Sequence, residues 1–340
     1  MTHLAPGQRS TIRDVADLAG VSHATVSRYL NGRSYVSSET GRAIDRAVAA
    51  TGYVKNNTAR ALVMRKNFSV ALVVREHSDL FFDDPNLSGM AIGANATFSE
   101  RGYQMSILIV ESDASAARVI EMIGGGAVDG ALLLAMHIED PVVAALANSG
   151  TPLVTSSTPL AESSVTSVDT DNVGGARAIS ERLTMSGRQR IAIINGPPEA
   201  PVTPLRYQGY QEGLGNLYDP ELVVWANAWT AEEGRRALRD LLHLEPRLDA
   251  VVAASDALAA GVIDAAGAEG LSVPADIAVV GFDDSAWAIR TTPQISTVRQ
   301  SARQTGIRMA EMLLDEIDGS AVRGRHEILP NEIVWRDSAG

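Results

Sequence analysis

The stretch Ile12-Arg13-Asp14-Val15-Ala16-Asp17-Leu18-Ala19-Gly20-Val21-Ser22-His23-Ala24-Thr25-Val26-Ser27-Arg28-Tyr29-Leu30-Asn31-Gly32 decides how the N-terminus folds. Thr11 is placed to cap a helix from Ile12 to about Ala19, in which Val15, Ala16, Leu18 and Ala19 recur at helical spacing. Gly20 stops that helix, Val21 turns inward, and Ser22 can cap a second helix from His23 to about Asn31 with Val26 and Leu30 on one face. Two short helices around a tight glycine turn make a helix-turn-helix. A third helix is predicted from Ser38 to Ala50, with Ile44 and Val48 facing inward and Gly52-Tyr53 ending it. Three short helices make a small all-α domain, expected over residues 11–55 behind a disordered tail of residues 1–10.

Charge is segregated around this stretch. The 340 residues carry 29 Lys+Arg and 41 Asp+Glu, a net of −12 that taken alone argues against a nucleic-acid partner. Residues 1–66 hold ten Lys+Arg, among them both lysines Lys55 and Lys66, against four Asp+Glu, so this segment is +6 and the remainder −18. A small basic module on an acidic body is the pattern of an anion-binding segment. In a helix-turn-helix the second helix enters the DNA major groove and its N-terminal residues meet base edges. Arg28 then suits a bidentate contact to guanine O6 and N7, His23 can donate to an acceptor such as N7 or O4, and Ala24 is small enough to touch a thymine methyl. Ser22, Thr25, Ser27 and Arg33 suit phosphate contacts, which position the module without reading sequence. The bland alternative is an incidental helical bundle with a solvated basic face.

Other chemistries find little support. With 45% apolar residues the chain can build an ordinary core, and its longest apolar stretches, such as Ala131 to Met136, fall far short of the ~18 residues of a membrane span. Met1 to Ser10 has neither a basic start nor an apolar run, so no export is expected and the location read from it is cytoplasmic. Cysteine is absent, and the six histidines never stand four apart, so no metal site is expected. No phosphate-binding glycine loop or serine nucleophile elbow is found, and Gly124-Gly125-Gly126 reads as a helix stop. Neither enzyme nor cofactor is expected.

From Val70 onward short apolar runs alternate with amphipathic helices. Strands are predicted at Val70–Val74, Ser106–Val110, Gly130–Leu134, Leu153–Thr155, Ile191–Asn195, Val223–Trp225, Ala250–Ala253 and Ile277–Val280. Helices between them include Gly89–Glu100, Pro141–Asn148, Gly174–Met185, Ala231–Leu244 and Asp256–Glu269. Such alternation gives an α/β body of parallel sheets covered by helices. A polar break near Ser156–Thr166 favours two Rossmann-like lobes over one large sheet. Ligands of such sheets sit beyond the carboxyl ends of strands, which makes candidates of Arg75 and Glu76, Ser255 and Asp256, and Asp283 and Asp284.

The quoted stretch, continued by Val36-Ser37, Thr51-Gly52-Tyr53-Val54, Asn56 and Ala59-Arg60-Ala61-Leu62, closely resembles the N-terminal signature of the LacI/GalR family of transcription regulators. The body resembles the same family through Val128-Asp129-Gly130, Asp171-Asn172, Gly196-Pro197, Arg206-Tyr207-Gln208-Gly209-Tyr210, Ser255-Asp256-Ala257-Leu258-Ala259-Ala260-Gly261 and Val280-Gly281-Phe282-Asp283-Asp284, all in family order. The resemblance implies a hinge helix over Asn57 to Met64, within a linker of residues 56–67. That helix orders on DNA beside its dimer mate, with Asn56 at its start and Leu62 wedged between base steps of the minor groove. Lys55 stands where the family usually has proline, so a less rigid start is expected.

For residues 68–340 the resemblance implies a periplasmic-binding-protein-like (type I) pair of lobes with a small effector in the cleft. The N-lobe is expected at residues 68–166 plus 299–320 and the C-lobe at 167–298 plus 321–340. Carried over, Arg206 grips a polar group of the effector, Asp283 accepts its hydroxyls and Trp229 packs on its ring, with Asp171 a further candidate. Ser255 replaces the asparagine of several sugar-responsive members, which shortens that side chain. The expectation is a homodimeric repressor on a pseudo-palindromic double-stranded operator, answering to a carbohydrate, with a purine or other metabolite acting as co-repressor as the alternative. A transport solute-binding protein would share the body but not the recognition helix.

Overall fold

The computed structural model describes residues 10–30, 36–53, 66–75, 81, 84–138, 140–157 and 164–340. Arg33, Asn56, Leu62 and Glu76 fall outside these residues, as do the expected hinge helix and nearly all of the expected tail. The chain forms two compact units, residues 1–67 and 68–340.

The first unit is helical: α1 (Ile12–Ala19), α2 (His23–Leu30) and α3 (Ser38–Thr51). Thr11 caps α1 reciprocally, its hydroxyl accepting from the Asp14 N–H while the Asp14 carboxylate accepts the Thr11 N–H at 2.7 Å. Gly20 closes α1 at φ 68°, a left-handed conformation that a side chain disfavours. Val15, Ala16, Val26, Ile44 and Ala47 form the core, with Ile12, Ala19, Leu30 and Val48 packed on it. Leu18 is 59% exposed, so the apolar face of α1 runs through positions 12, 15, 16 and 19 and excludes a residue that the sequence reading had included. Tyr29 clamps α2 to α3, its hydroxyl donating to Asp45 Oδ2 at 2.9 Å.

The second unit holds two six-stranded sheets. The first has the order β11-β5-β4-β3-β1-β2, all parallel, built from β1 (Ser69–Val74), β2 (Gln104–Ile109), β3 (Gly130–Leu134), β4 (Leu153–Thr155), β5 (Thr166–Thr170) and β11 (His326–Leu329). The second has the order β12-β10-β9-β8-β6-β7, from β6 (Ile191–Asn195), β7 (Val223–Trp225), β8 (Ala250–Ala253), β9 (Ala278–Asp283), β10 (Ser296–Arg299) and β12 (Glu332–Val334), of which β12 alone is antiparallel to its neighbour. The period of two sorts β1 between two cores. Val70, Leu72 and Val74 pack under helices Pro85–Glu100 and Ala302–Ile317, while Ala71 and Val73 pack under Asp113–Gly124 and Pro141–Asn148.

Two lobe boundaries differ from those expected. The first sheet keeps Thr166–Thr170 and gains His326–Leu329, so the chain leaves it at residues 170–172 and 329–332, not at 166 and 320. The physical reason lies in β5, a polar sequence that is nonetheless buried throughout. Its polar groups find specific partners: Thr166 donates to Glu316, and Ser167 Oγ lies 2.9 Å from His326 Nδ1. The intermediate crossing lies at residues 299–302.

Helices over the first sheet touch backbone to backbone. A Cβ on Gly93 would lie 2.1 Å from the Arg303 carbonyl oxygen, and one on Gly306 would lie 1.9 Å from that of Met90. Among the described residues no helix is long and apolar enough to cross a membrane. Gly93→Ala is expected to force these helices apart and lower stability by about 1–3 kcal/mol, measured by urea unfolding. Unchanged stability would show that the close approach is dispensable.

Candidate functional site

On α2 the residues read as base contacts lie at the surface. Ser22, His23, Ala24 and Arg28 are exposed, Thr25 and Ser27 are half-buried, and Val26 between them is in the core. Ser22 Oγ accepts the Thr25 N–H at 3.1 Å, so this residue caps the helix as well as standing at its exposed end. Arg28 Nε donates to the Ala24 carbonyl at 3.2 Å, which lays the guanidinium back toward the helix N-terminus, where His23 and Ala24 also stand.

In the second unit each sheet has one place where successive connections leave in opposite directions. In the first this is between β1 and β3, and in the second between β6 and β8. Loops part there and leave a crevice at the carboxyl ends of the strands. Arg206, from the helix Val202–Leu214, is buried against the second crevice. Its Nε donates to Asn172 Oδ1 at 2.9 Å and its Nη1 to the Ala254 carbonyl just beyond β8. Nη1 also stands 3.4 Å from Asp283 Oδ1 at the end of β9, and the guanidinium lies 3.8 Å above the Phe282 ring.

Trp229 completes the wall. Its ring stands 5.8 Å from the Arg206 guanidinium and lies against Gly196, just after β6, where a Cβ would come within 2.0 Å of it. Asp283 has φ 124° and Asp284 φ 55°, two consecutive residues in a region that side chains disfavour. Asp283 is held by Gln300 Nε2 at 2.6 Å, and the Asn86 side chain of the other lobe comes near enough to favour its charged form. Asp284 is bound by Arg299 and Arg336. A second bridge between lobes runs from the Ile138 N–H to the Glu199 carbonyl at 3.1 Å.

Arg206, Asp283 and Trp229 are thus brought together, and the remaining effector candidates are engaged with other partners. Ser255 is buried and caps the helix Asp256–Ala268 by accepting the Leu258 N–H. Asp256 is held by Thr297 Oγ1 and the Ser285 N–H. Asp171 is exposed and caps the helix Asn172–Met185. Arg75 stands at the end of β1 in the other lobe, with Nε 3.1 Å from Asp140 Oδ2 and Nη2 3.5 Å from Asp113. Its Nη1 is buried without a hydrogen-bond partner among the described residues. Sequence reasoning missed Asn172, Gln300 and Asn86, neutral amides that each face a charged group distant in sequence. Only the Asp171-Asn172 pair was in view, as part of a resemblance.

The chain is 39% identical over 336 residues to the HTH-type transcriptional regulator CelR of Thermobifida fusca, an alignment covering 97% of this chain and 98% of that protein. Residues 11–56 match the family described as bacterial regulatory proteins, lacI family. The chain belongs to that family. In this LacI-family regulator residues 180–339 match the periplasmic binding protein-like domain. It is also 28% identical to the transcriptional repressor CytR of Escherichia coli K12, over 97% of this chain and 96% of that one. A solved CelR–cellobiose complex superposes with a TM-score of 0.77 at 38% identity, covering 97% of this chain and 100% of that one. The lac repressor dimer bound to operator and the anti-inducer ONPF shares the fold at a TM-score of 0.86 and 24% identity, over 98% of this chain and 99% of that one.

Burial pushes the Asp283 carboxyl up to about 6, with Arg206 acting in the opposite direction and Asp84 adding to the rise. Burial and the neighbouring Asp283 push Asp256 well above the usual carboxylate range. An acid whose folded pKa is raised contributes stability that is full below its unfolded value, near pH ~4, and is lost as pH rises through the folded value. For Asp283 the decline is therefore expected between about pH 4 and about pH 6. Asp283→Asn should flatten the fall in unfolding free energy over that window, measured by urea denaturation. A slope identical to that of the parent protein would assign the titration to another group.

Proposed function

We propose that this LacI-family regulator is a cytoplasmic, homodimeric repressor that binds a pseudo-palindromic operator and releases it in response to a carbohydrate in the cleft, with a cellobiose-like disaccharide the first candidate. The observation that carries the reading is the grouping of Arg206, Asp283 and Trp229 at the crevice of the second sheet. A guanidinium and a carboxylate suit sugar hydroxyls, and an indole face suits the C–H face of a pyranose. The CelR–cellobiose complex, at 38% identity over nearly the whole chain, supports the ligand class. Arg75, on the facing lobe and with a buried Nη1 that has no hydrogen-bond partner among the described residues, suits a second ring or hydroxyl. On the DNA side, two copies of α2 one helical turn apart would read the two half-sites.

The mechanism is a shift between lobe arrangements. A sugar that binds one arrangement better than the other changes its population, and with it the geometry offered to DNA. Footprinting on the operator with and without cellobiose tests the reading. Arg28→Ala should lose about 1–3 kcal/mol of operator discrimination and keep sugar binding, while Arg206→Ala should lose the sugar response and keep operator preference. Equal loss of both functions in either variant would overturn the division of labour, and sequence-independent binding by the parent protein would overturn the repressor reading.

A further inference from the structure

The two side chains assigned to grip the effector are tied to different chain crossings between the lobes. Arg206 Nε donates to Asn172 Oδ1 at 2.9 Å, and Asn172 Nδ2 donates to Asp169 Oδ1 at 2.9 Å and to the Thr170 carbonyl at 3.1 Å. Asn172 is 3% exposed and stands at the first crossing, one end of its amide in the C-lobe site and the other on β5 of the first sheet. Asp283 is tied to the second crossing, where Gln300 donates through Nε2 to Oδ1 at 2.6 Å and through its backbone N–H to the Asp283 carbonyl at 3.3 Å. The first and third crossings are stitched together. The Asp171 N–H donates to the Leu329 carbonyl at 3.2 Å, and Asn331 Nδ2 donates to the Asp171 carbonyl at 2.7 Å.

We infer that Asn172 and Gln300 are positioning residues that carry effector contact at Arg206 and Asp283 into the interlobe crossings, setting the coupling between cleft and operator more than the affinity for the effector. The inference rests on the effector reading above. Lobe rotation is absorbed by the few residues that link the lobes. A guanidinium whose amide partner is anchored on the first sheet cannot shift toward a ligand without pulling on residues 169–172. A neutral amide suits the task because it donates to a carboxylate or carbonyl and accepts from a cation without adding charge to a buried cluster already holding Arg206, Asp169, Asp256 and Asp283.

The full-length protein carrying Asn172→Leu, close in shape but without either bond, and the half-buried Gln300→Ala, a milder change for folding, are compared with the parent. Operator Kd is measured without sugar and at saturating cellobiose, and the ratio of the two is the readout. Each variant is expected to shrink that ratio at least about fivefold, a loss that further sugar does not recover. Recovery of the parent ratio at saturation would reduce both residues to affinity contacts and overturn the inference. Hydrogen exchange on sugar-free protein gives a second readout. Asn172→Leu should speed exchange about tenfold at the amides of Asp171 and Gly174, and unchanged protection there overturns the tether whatever the ligand. A parent protein that ignores cellobiose and other sugars counts against the carbohydrate reading, and the exchange measurement then decides the tether alone.

Discussion

The second unit is organised around a buried cation. The Arg206 guanidinium is almost entirely removed from water, and an uncompensated charge there would cost several kcal/mol. Its compensation comes from three parts of the chain: an amide just after β5, a carbonyl after β8, and at the end of β9 a carboxylate with an aromatic face beside it. These parts meet only when both sheets are assembled and the first crossing is in place. The same constraint explains the strained backbone at Asp283. The carboxylate must sit where glycine would be more comfortable, because its charge is needed opposite Arg206.

Arg206 also explains why the site is one-sided. Trp229, Gly196, Phe282 and Asp283 all belong to the C-lobe, and the facing wall contributes Asn86 and the separate cluster of Arg75, Asp140 and Asp113. On the proposed reading, a ligand held by the C-lobe groups would meet the N-lobe cluster only as the lobes close, and any preference for one lobe arrangement would come from that second set of contacts.

What could be read from the sequence followed hydrophobicity. The runs at β1, β3, β6 and β8 stand out because both faces of a covered parallel sheet are apolar. Thr166-Ser167-Val168-Asp169-Thr170 carries no such signal and is not among the strands expected from the sequence, yet it lies inside the first sheet, satisfied by partners some 150 residues away such as Glu316 and His326. β11 and β12 are short edge strands with no buried residue, and nothing local distinguishes them from loops. In the site, Arg206, Asp283 and Trp229 could be picked out through resemblance and through strand ends. Asn172 and Gln300 could not, because an amide's role depends on which two groups it happens to join. Leu18 shows the converse, an apolar residue at helical spacing that the packing leaves outside.

The placement of β11 and β12 bears on how the chain is made. Residues 326–334 supply the last strand of each sheet, and Ser338 then hydrogen-bonds Val279, Gln294 and Ser296. During vectorial synthesis neither lobe can finish its sheet while those residues are still inside the ribosome, although α1 to α3 emerged some 270 residues earlier and need nothing further to close their own core. A nascent chain therefore displays a finished recognition helix ahead of any finished sensor, so stalled or truncated products would be able to touch DNA while remaining deaf to the ligand.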